Sequence, residues 1–308
     1  MTTLLALLSF LAGMGLAVQA GANARLAQAV GTPFVATAMQ LAVGAAILLI
    51  IAATFGALPA LGRLGTGAWW HAVGGAASAV YVLAVILIAP RLGALVAIGV
   101  LIAGQTFASL LLDGFGMLGV PYRGFPPATV IGAGLTLAGV VALVRGQAGE
   151  ISALRIKPGL VALALFAGAL LPVQGAVNAL FRADLGAPLA VGFVSFLVAT
   201  ATMLIALPII QAALNPRFPR FAGLAEMPVW GWLGGFMGAL YVTAVFSAIP
   251  IIGAASVVAL TVAGQQTAAV LVDRFGLVGF PKRTITLLRL GGVVLMFAGV
   301  AVIQLMKA

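Results

Sequence analysis

The sequence predicts an all-α membrane protein with ten transmembrane helices, arranged as two inverted five-helix repeats. Only 6% of the 308 residues are charged, whereas 64% are hydrophobic, so polar groups are too few to cover a water-facing surface. The hydrophobic residues form long continuous runs, as membrane-spanning helices require. These runs repeat near the middle of the chain, which indicates an internal duplication.

Ten apolar stretches are long enough to cross about 30 Å of hydrocarbon as helices. Glycine or proline marks most breaks between them, for example Gly31-Thr32-Pro33, Ala89-Pro90-Arg91 and Gly119-Val120-Pro121. The predicted spans cover residues 4–24, 34–55, 69–89, 93–112, 127–145, 159–180, 188–210, 229–249, 252–272 and 284–306.

The two halves of the chain match each other residue by residue. Asp113-Gly-Phe-Gly-Met-Leu-Gly-Val-Pro121 matches Asp273-Arg-Phe-Gly-Leu-Val-Gly-Phe-Pro281, and Ala103-Gly104-Gln105 matches Ala263-Gly264-Gln265, both at an offset of 160 residues. Near the start of each half the offset is 155, so the second half carries extra residues, which we place around Asn215-Pro216-Arg217. We therefore predict a first repeat at 1–147, a linker at 148–158 and a second repeat at 159–308.

An odd number of spans in each half has a topological consequence. A helix and its copy then cross the membrane in opposite directions, which is the inverted repeat typical of secondary transporters. Eleven of the fifteen Lys and Arg residues, among them Arg25 and Arg289, fall on one side of this topology, and the others fall on the side of the termini. Because cations collect in cytoplasmic loops, both termini are predicted to lie outside the cell membrane.

Polar side chains within the spans are the candidate substrate-binding residues, because an amide is expensive to bury in hydrocarbon. In the first and sixth helices two such amides lie four residues apart and share one face. The alternative for each amide is a hydrogen bond that joins two helices. A cavity lined by these groups suits a neutral, zwitterionic or weakly cationic metabolite. The candidates form four repeated pairs: Gln19 and Gln174, Asn23 and Asn178, Gln105 and Gln265, Tyr81 and Tyr241.

Asp113 and Asp273 are the two repeated acids. One interpretation is a helix cap or turn, since Asp before Gly or Arg, and then Phe-Gly, is typical of loops. The other is a carboxylate that couples transport to a proton or cation, or that gates the path. All five acids of the chain fall in predicted loops or at span ends, so no carboxylate is expected at mid-membrane.

The sequence lacks the motifs of catalysis and cofactor binding. It has no cysteine, a single histidine and no Walker-type phosphate loop, so we expect no enzyme, no metal site, no cofactor and no direct use of ATP. The net charge of +10 is spread along the chain, which favours membrane anchoring over a nucleic-acid partner. The expected partners are a small-molecule substrate and the lipid bilayer, and a homodimer is not required.

Two inverted five-span halves resemble the drug/metabolite transporter superfamily, and two motifs resemble its YdcZ-like family. These motifs are Gln-x-x-x-Asn at Gln19 and Asn23, and Ala-Gly-Gln followed by Asp-x-Phe-Gly-x-x-Gly-x-Pro within 103–121. The resemblance covers nearly the whole chain, which looks like two fused five-span units. It implies an inner-membrane transporter of small molecules, usually assumed to be an exporter. The buried glutamate of the small multidrug branch has no equivalent here.

The sequence leaves two other functions open. A passive channel for small solutes can also be built from inverted repeats, and an uncharged pore suits neutral solutes. A lipid flippase or a membrane scaffold that transports nothing would need the same apolar helices. Secondary transport by alternating access is the function that we expect, because an odd-span duplication is combined with duplicated amides inside the membrane.

Overall fold

The computed structural model describes residues 2–92, 94–148, 158–214, 218–282 and 284–305, and within these ranges the chain is all-α, as predicted. The predicted linker and the loop around Asn215-Pro216-Arg217 lie almost wholly outside the described residues. The described helices are α1 (Thr2–Val30), α2 (Pro33–Thr54), α3 (Ala76–Leu92), α4 (Ala94–Phe115), α5 (Pro127–Ala148), α6 (Pro158–Leu185), α7 (Pro188–Leu214), α8 (Leu233–Ile252), α9 (Ala254–Phe275) and α10 (Leu287–Leu305).

Eight of the described helical segments are long and apolar enough to cross a membrane. The other two are α5 and α10, whose apolar stretches are shorter, at Pro127–Leu143 and Leu287–Ile303. Short 3-10 helices precede α3 and α8, so these two spans begin at Trp69 and Val229. α4 and α9 are the most buried of the eight and form the centre of the bundle.

Glycine and proline define the ends of several helices. Gly31 ends α1 with a φ of +79°, a conformation that is easy only for glycine, and Pro33 begins α2. The break predicted at Ala89-Pro90-Arg91 is wrong in position, because α3 continues through Pro90 to Leu92. Pro90 has no N–H to donate, so the helix loses one hydrogen bond there without ending.

Glycine also permits two very close helix crossings in the centre of the bundle. α4 crosses α6 at Gly104 and Gly168, and α9 crosses α1 at the repeat counterparts Gly264 and Gly13. A β carbon added to any of the four would lie between 1.9 and 2.1 Å from a backbone carbonyl oxygen of the opposite helix. The same crossing is therefore built twice, and only glycine fits at its four contact points.

α5 and α10 are repeat counterparts, and they pack against each other in an antiparallel arrangement. Gly132 lies against Gly299, and Gly139 lies against Gly292. Since Gly292 and Gly299 are the counterparts of Gly132 and Gly139 at the offset of 160, the contact is unchanged when the two repeats are exchanged. This helix pair therefore lies across a local approximate two-fold axis.

Candidate functional site

A small cavity, here called the central cavity, lies between the two halves among α1, α3, α6, α7 and α8. About 10 Å³ of it is open to the centre of a water molecule, enough for roughly one water. It brings together three of the predicted binding residues, Gln19, Tyr81 and Tyr241, and most of its lining consists of repeat counterparts facing each other. The lining residues are Leu16, Gln19, Ser78, Tyr81, Val82, Leu171, Phe196, Gly238, Tyr241 and Val242.

Beside this cavity the predicted amides of α6 form a hydrogen-bonded group, here called the Gln174 cluster (Gln174, Asn178, Ser78 and Ser195). The Gln174 amide donates to the hydroxyls of Ser78 at 2.7 Å and Ser195 at 3.3 Å, and Ser78 donates back to Gln174 Oε1 at 2.9 Å. Asn178 Nδ2 donates to Ser195 at 3.0 Å. All four side chains are buried, and only Asn178 Oδ1 has no partner. The cluster joins α3, α6 and α7.

The counterpart group in the first half is here called the Gln19 cluster (Gln19, Asn23 and Gln40). It lacks the serine partners of the Gln174 cluster. Gly238 stands where Ser78 would be, and Gln40 replaces Ser195. Both polar atoms of Asn23 and both of Gln40 are buried without a hydrogen-bond partner. Unsatisfied buried amides are costly, so these four atoms set the Gln19 cluster apart from the hydrogen-bonded Gln174 cluster. Asn23 and Gln40 do not line the central cavity, and a role for Asn23 in substrate binding stays a prediction.

Gln105 and Gln265 do not line the central cavity. Each donates its amide to the side-chain oxygen of the other, at 3.4 and 3.3 Å, and both are fully buried between α4 and α9. This reciprocal pair is the packing alternative that the sequence left open for these residues. A role for the two in substrate binding stays a prediction.

Asp113 lies in the last turn of α4 and caps a helix of the other half. Its carboxylate accepts hydrogen bonds from the backbone N–H groups of Ala254 at 3.2 Å and Ala255 at 2.9 Å, at the start of α9. A carboxylate at this position satisfies N–H groups that have no partner within their own helix. The geometry matches the helix-cap interpretation, while the coupling or gating role stays a prediction.

Asp273, the counterpart of Asp113, instead pairs with a buried cation. Arg289 donates from Nη2 to Asp273 Oδ2 at 2.7 Å and from Nη1 to the Thr284 carbonyl at 2.7 Å. The Arg289 side chain is fully buried in α10. Arg289, which the sequence places among the cations of one side, is therefore paired inside the protein, while the predicted orientation stays a prediction.

Two further cavities lie at opposite ends of the bundle, where helices end. The Arg25 cavity has a volume of about 220 Å³ and is lined by Gly21, Ala24, Arg25, Gln28, Ala89, Pro90, Val278, Gly279, Phe280 and Pro281. The Leu180 cavity has a volume of about 180 Å³ and is lined by Ala176, Ala179, Leu180, Ala183, Ile249, Pro250, Leu118, Gly119, Val120 and Pro121. At the offsets of 155 and 160, each residue of the first set has its counterpart in the second.

The sequence did not point to several polar residues of these sites. Gln40, Ser78 and Ser195 complete the two amide clusters, and a mid-span glutamine was the available signal for the first of them. The single histidine, His71, also contributes a contact between the two halves. Its Nδ1 lies 2.6 Å from Asp184 Oδ2, which ties the segment before α3 to the end of α6 and hence one half to the other.

Long apolar helices, with a small uncharged cavity between two repeats, are typical of one class of protein, the multi-pass helical membrane proteins. The sequence model of the family described as "Putative inner membrane exporter, YdcZ" matches residues 4–142 and again residues 159–302. The chain belongs to this family, as its motifs predicted, and it is an inner-membrane protein. Membership points to a transporter rather than an enzyme.

The fold is also similar to that of a solved structure titled "Crystal structure of protein". The two share 20% sequence identity with a TM-score of 0.64, and the match covers 99% of this chain and 96% of the other. This likeness supports the fold over essentially the whole chain. A search of curated proteins gave no match.

Proposed function

We propose that the protein is a secondary transporter that exports a small neutral, zwitterionic or weakly cationic metabolite by alternating access. In this proposal all ten helices cross the inner membrane, the two five-helix halves have opposite orientation, and both termini lie outside. The central cavity carries the proposal, because counterpart residues of both halves meet there, as in Tyr81 and Tyr241. The antiparallel packing of α5 and α10 supports the inverted relation of the halves.

The three cavities lie along shared helices, which supports a path through the protein. α1 contributes Gln19 to the central cavity and Arg25 to one end cavity, roughly 9 Å further along the helix. α6 contributes Leu171 to the central cavity and Leu180 to the other end cavity. When two inverted halves exchange conformations, the central cavity opens first to one end and then to the other.

The chemistry of the central cavity supports an uncharged or internally balanced substrate. The polar groups that line or adjoin it are amides and hydroxyls, the rest of its lining is aliphatic, aromatic or glycine, and no carboxylate or cation is among its lining residues. A substrate with hydrogen-bonding groups would satisfy the unpartnered amides of Asn23 and Gln40, which lie next to Gln19 in the same cluster. A strong ion would find no fixed opposite charge there.

Uptake by purified protein in liposomes tests the proposal. We expect saturable uptake and counterflow of at least one compound from a radiolabelled panel of polyols, amino acids and weak bases. Gln19→Leu removes the amide that lines the cavity, and we expect about tenfold lower uptake because a lost hydrogen bond in a buried site costs on the order of one factor of ten.

The double variant Gln105→Leu with Gln265→Leu is the matched control. It removes two buried amides at once, so neither is left unpartnered, and uptake should persist if the pair only joins α4 to α9. Loss of uptake in this double variant, with uptake unchanged in Gln19→Leu, would move the site to the α4–α9 pair. Flux that never saturates would indicate a channel, and movement of fluorescent lipid without solute flux would indicate a flippase.

A further inference from the structure

The Arg25 cavity and the Leu180 cavity are counterparts at opposite ends of the bundle. The first is formed where α1, α3 and α9 end, and the second where α4, α6 and α8 end. α4 starts next to the end of α3 and runs for 22 residues to the second cavity, so roughly 33 Å separates the two. Any difference between their counterpart positions is therefore a difference between the two ends of the path.

The main difference between them is charge. Arg25 and Gln28 line the first cavity, and their counterparts in the second are Leu180 and Ala183. The remaining lining positions are apolar or glycine in both. One end of the bundle therefore offers a cation and an amide in an apolar pocket, and the other end offers an apolar pocket alone.

Among the described residues, the guanidinium of Arg25 takes no part in the interactions that stabilise the fold. It is half-buried, and within the described part of the chain no carboxylate pairs with it and no hydrogen bond engages it. Arg182 of α6 provides a contrast, because it donates to the Ser247 carbonyl at 3.1 Å and does not line the Leu180 cavity. A partly desolvated cation without a partner favours an anionic ligand.

The shape and chemistry of the Arg25 cavity restrict that ligand. A guanidinium presents two parallel N–H donors that match the two oxygens of a carboxylate, and Gln28 can add a third donor. The walls formed by Ala24, Val278 and Phe280 suit an apolar body. A volume of about 220 Å³ is below the roughly 300–1,000 Å³ of sites for drug-sized molecules, so the ligand is small.

We infer that the Arg25 cavity binds the carboxylate of a small solute with an apolar body, and that the Leu180 cavity does not. This inference rests on the proposed function for its role in transport, and it specifies the substrate class of that function. Of the three substrate classes proposed above, only zwitterions carry a carboxylate. The inference therefore restricts the proposed substrates to zwitterions. The binding step itself does not require that transport occurs.

Equilibrium binding of radiolabelled benzoate to the purified full-length protein in non-ionic detergent tests the inference. We expect saturable binding that unlabelled benzoate displaces and benzamide, its uncharged analogue, does not. Arg25→Leu gives the first cavity the residue of its counterpart and should weaken binding at least tenfold, since a hydrogen-bonded charge is lost. Leu180→Met, the matched control at the other end, should leave binding unchanged.

Arg25→Lys separates ligand binding from a role in membrane topology. A cation at a helix end can orient a chain in the membrane, and lysine keeps that charge. Lysine cannot form the two parallel bonds, so we expect benzoate to bind at least threefold more weakly to a variant that remains monodisperse. Benzoate binding to Arg25→Leu as tight as to the natural protein, or displacement by benzamide, would overturn the inference.

Two further measurements distinguish this inference from lipid binding in the same cavity and from the proposed function. Loss of benzoate binding on addition of dioleoyl-phosphatidylglycerol, but not of dioleoyl-phosphatidylcholine, would assign the cavity to a lipid phosphate and overturn the soluble carboxylate. Benzoate binding without uptake of any panel compound would sustain the inference while removing the proposed function. Uptake of panel compounds without benzoate binding would remove the inference alone.

Discussion

The duplicated glycine crossings allow a quantitative prediction about Gly264→Ala and Gly104→Ala. In Gly264→Ala the new methyl group would lie 1.9 Å from the carbonyl oxygen of Phe10, and in Gly104→Ala it would lie 2.0 Å from that of Leu165. The obstacle is backbone, which cannot rotate away, so the helices must separate by roughly 1 Å. Overpacking of this kind costs about 1–3 kcal/mol, and the cost should be similar for the two variants because the crossings are counterparts.

Gly134→Ala and Gly291→Ala are the controls for this prediction. Both glycines lie in helices, on an exposed face, and an added β carbon would meet nothing within 4 Å. There the same substitution removes only the conformational freedom of glycine and should stabilise the protein by about 0.4–1 kcal/mol. The crossing variants and the control variants therefore differ in the sign of the effect.

Thermal unfolding in detergent measures the difference. Aliquots heated to a series of temperatures are passed over a size-exclusion column, and the midpoint for loss of the monodisperse peak is compared among variants. We expect a lower midpoint for both crossing variants and an equal or higher midpoint for both controls. Equal midpoints for Gly264→Ala and Gly134→Ala would refute the close approach of α1 and α9.

Three further predictions concern side chains that make charged or polar contacts. Asp113→Ala should destabilise the protein by about 1 kcal/mol through loss of the cap on α9, and a variant of unchanged thermal midpoint but abolished uptake would favour the coupling role instead. Arg289→Met should cost about 3–5 kcal/mol because Asp273 stays buried without its cation, and adding Asp273→Asn should restore part of the thermal midpoint; a double variant no more stable than the single one contradicts this. His71→Phe should cost about 0.5–1.5 kcal/mol in the same assay, and no loss would show that the contact with Asp184 does not tie the halves together.

Much of the fold follows from the sequence because lipid imposes simple rules. A long segment that crosses hydrocarbon satisfies its own backbone hydrogen bonds as a helix, so a continuous apolar run predicts a helix. Of the duplicated Gly-x-Pro positions, Gly31-Thr32-Pro33 and Gly186-Ala187-Pro188 mark where α2 and α7 start. The helix end predicted at Pro90 is wrong, because α3 continues through this residue. Proline removes one hydrogen bond, but packing against other helices keeps the turn helical. Helix ends depend on such packing and not on local sequence alone.

The site was predictable only where the repeat made a residue conspicuous. Gln19, Tyr81 and Tyr241 stood out as polar groups with a copy, and they meet in the central cavity. Gln40 was overlooked because its counterpart is a serine, so the pair does not look like a repeat. The cavity role of Arg25 depends on which helices surround it, and a cation near a helix end otherwise reads as a membrane anchor.

The difference between Arg25 and Leu180 has a consequence for how such a protein can evolve. When two identical five-helix units pair in opposite orientation, one codon specifies a residue at both ends of the assembly, and every substitution acts twice. In this chain the two positions are encoded separately, so each end can change under its own selection. Covalent fusion thereby makes it possible for one solute to be bound with different affinity from the two sides of the membrane, which a pair of identical units does not allow.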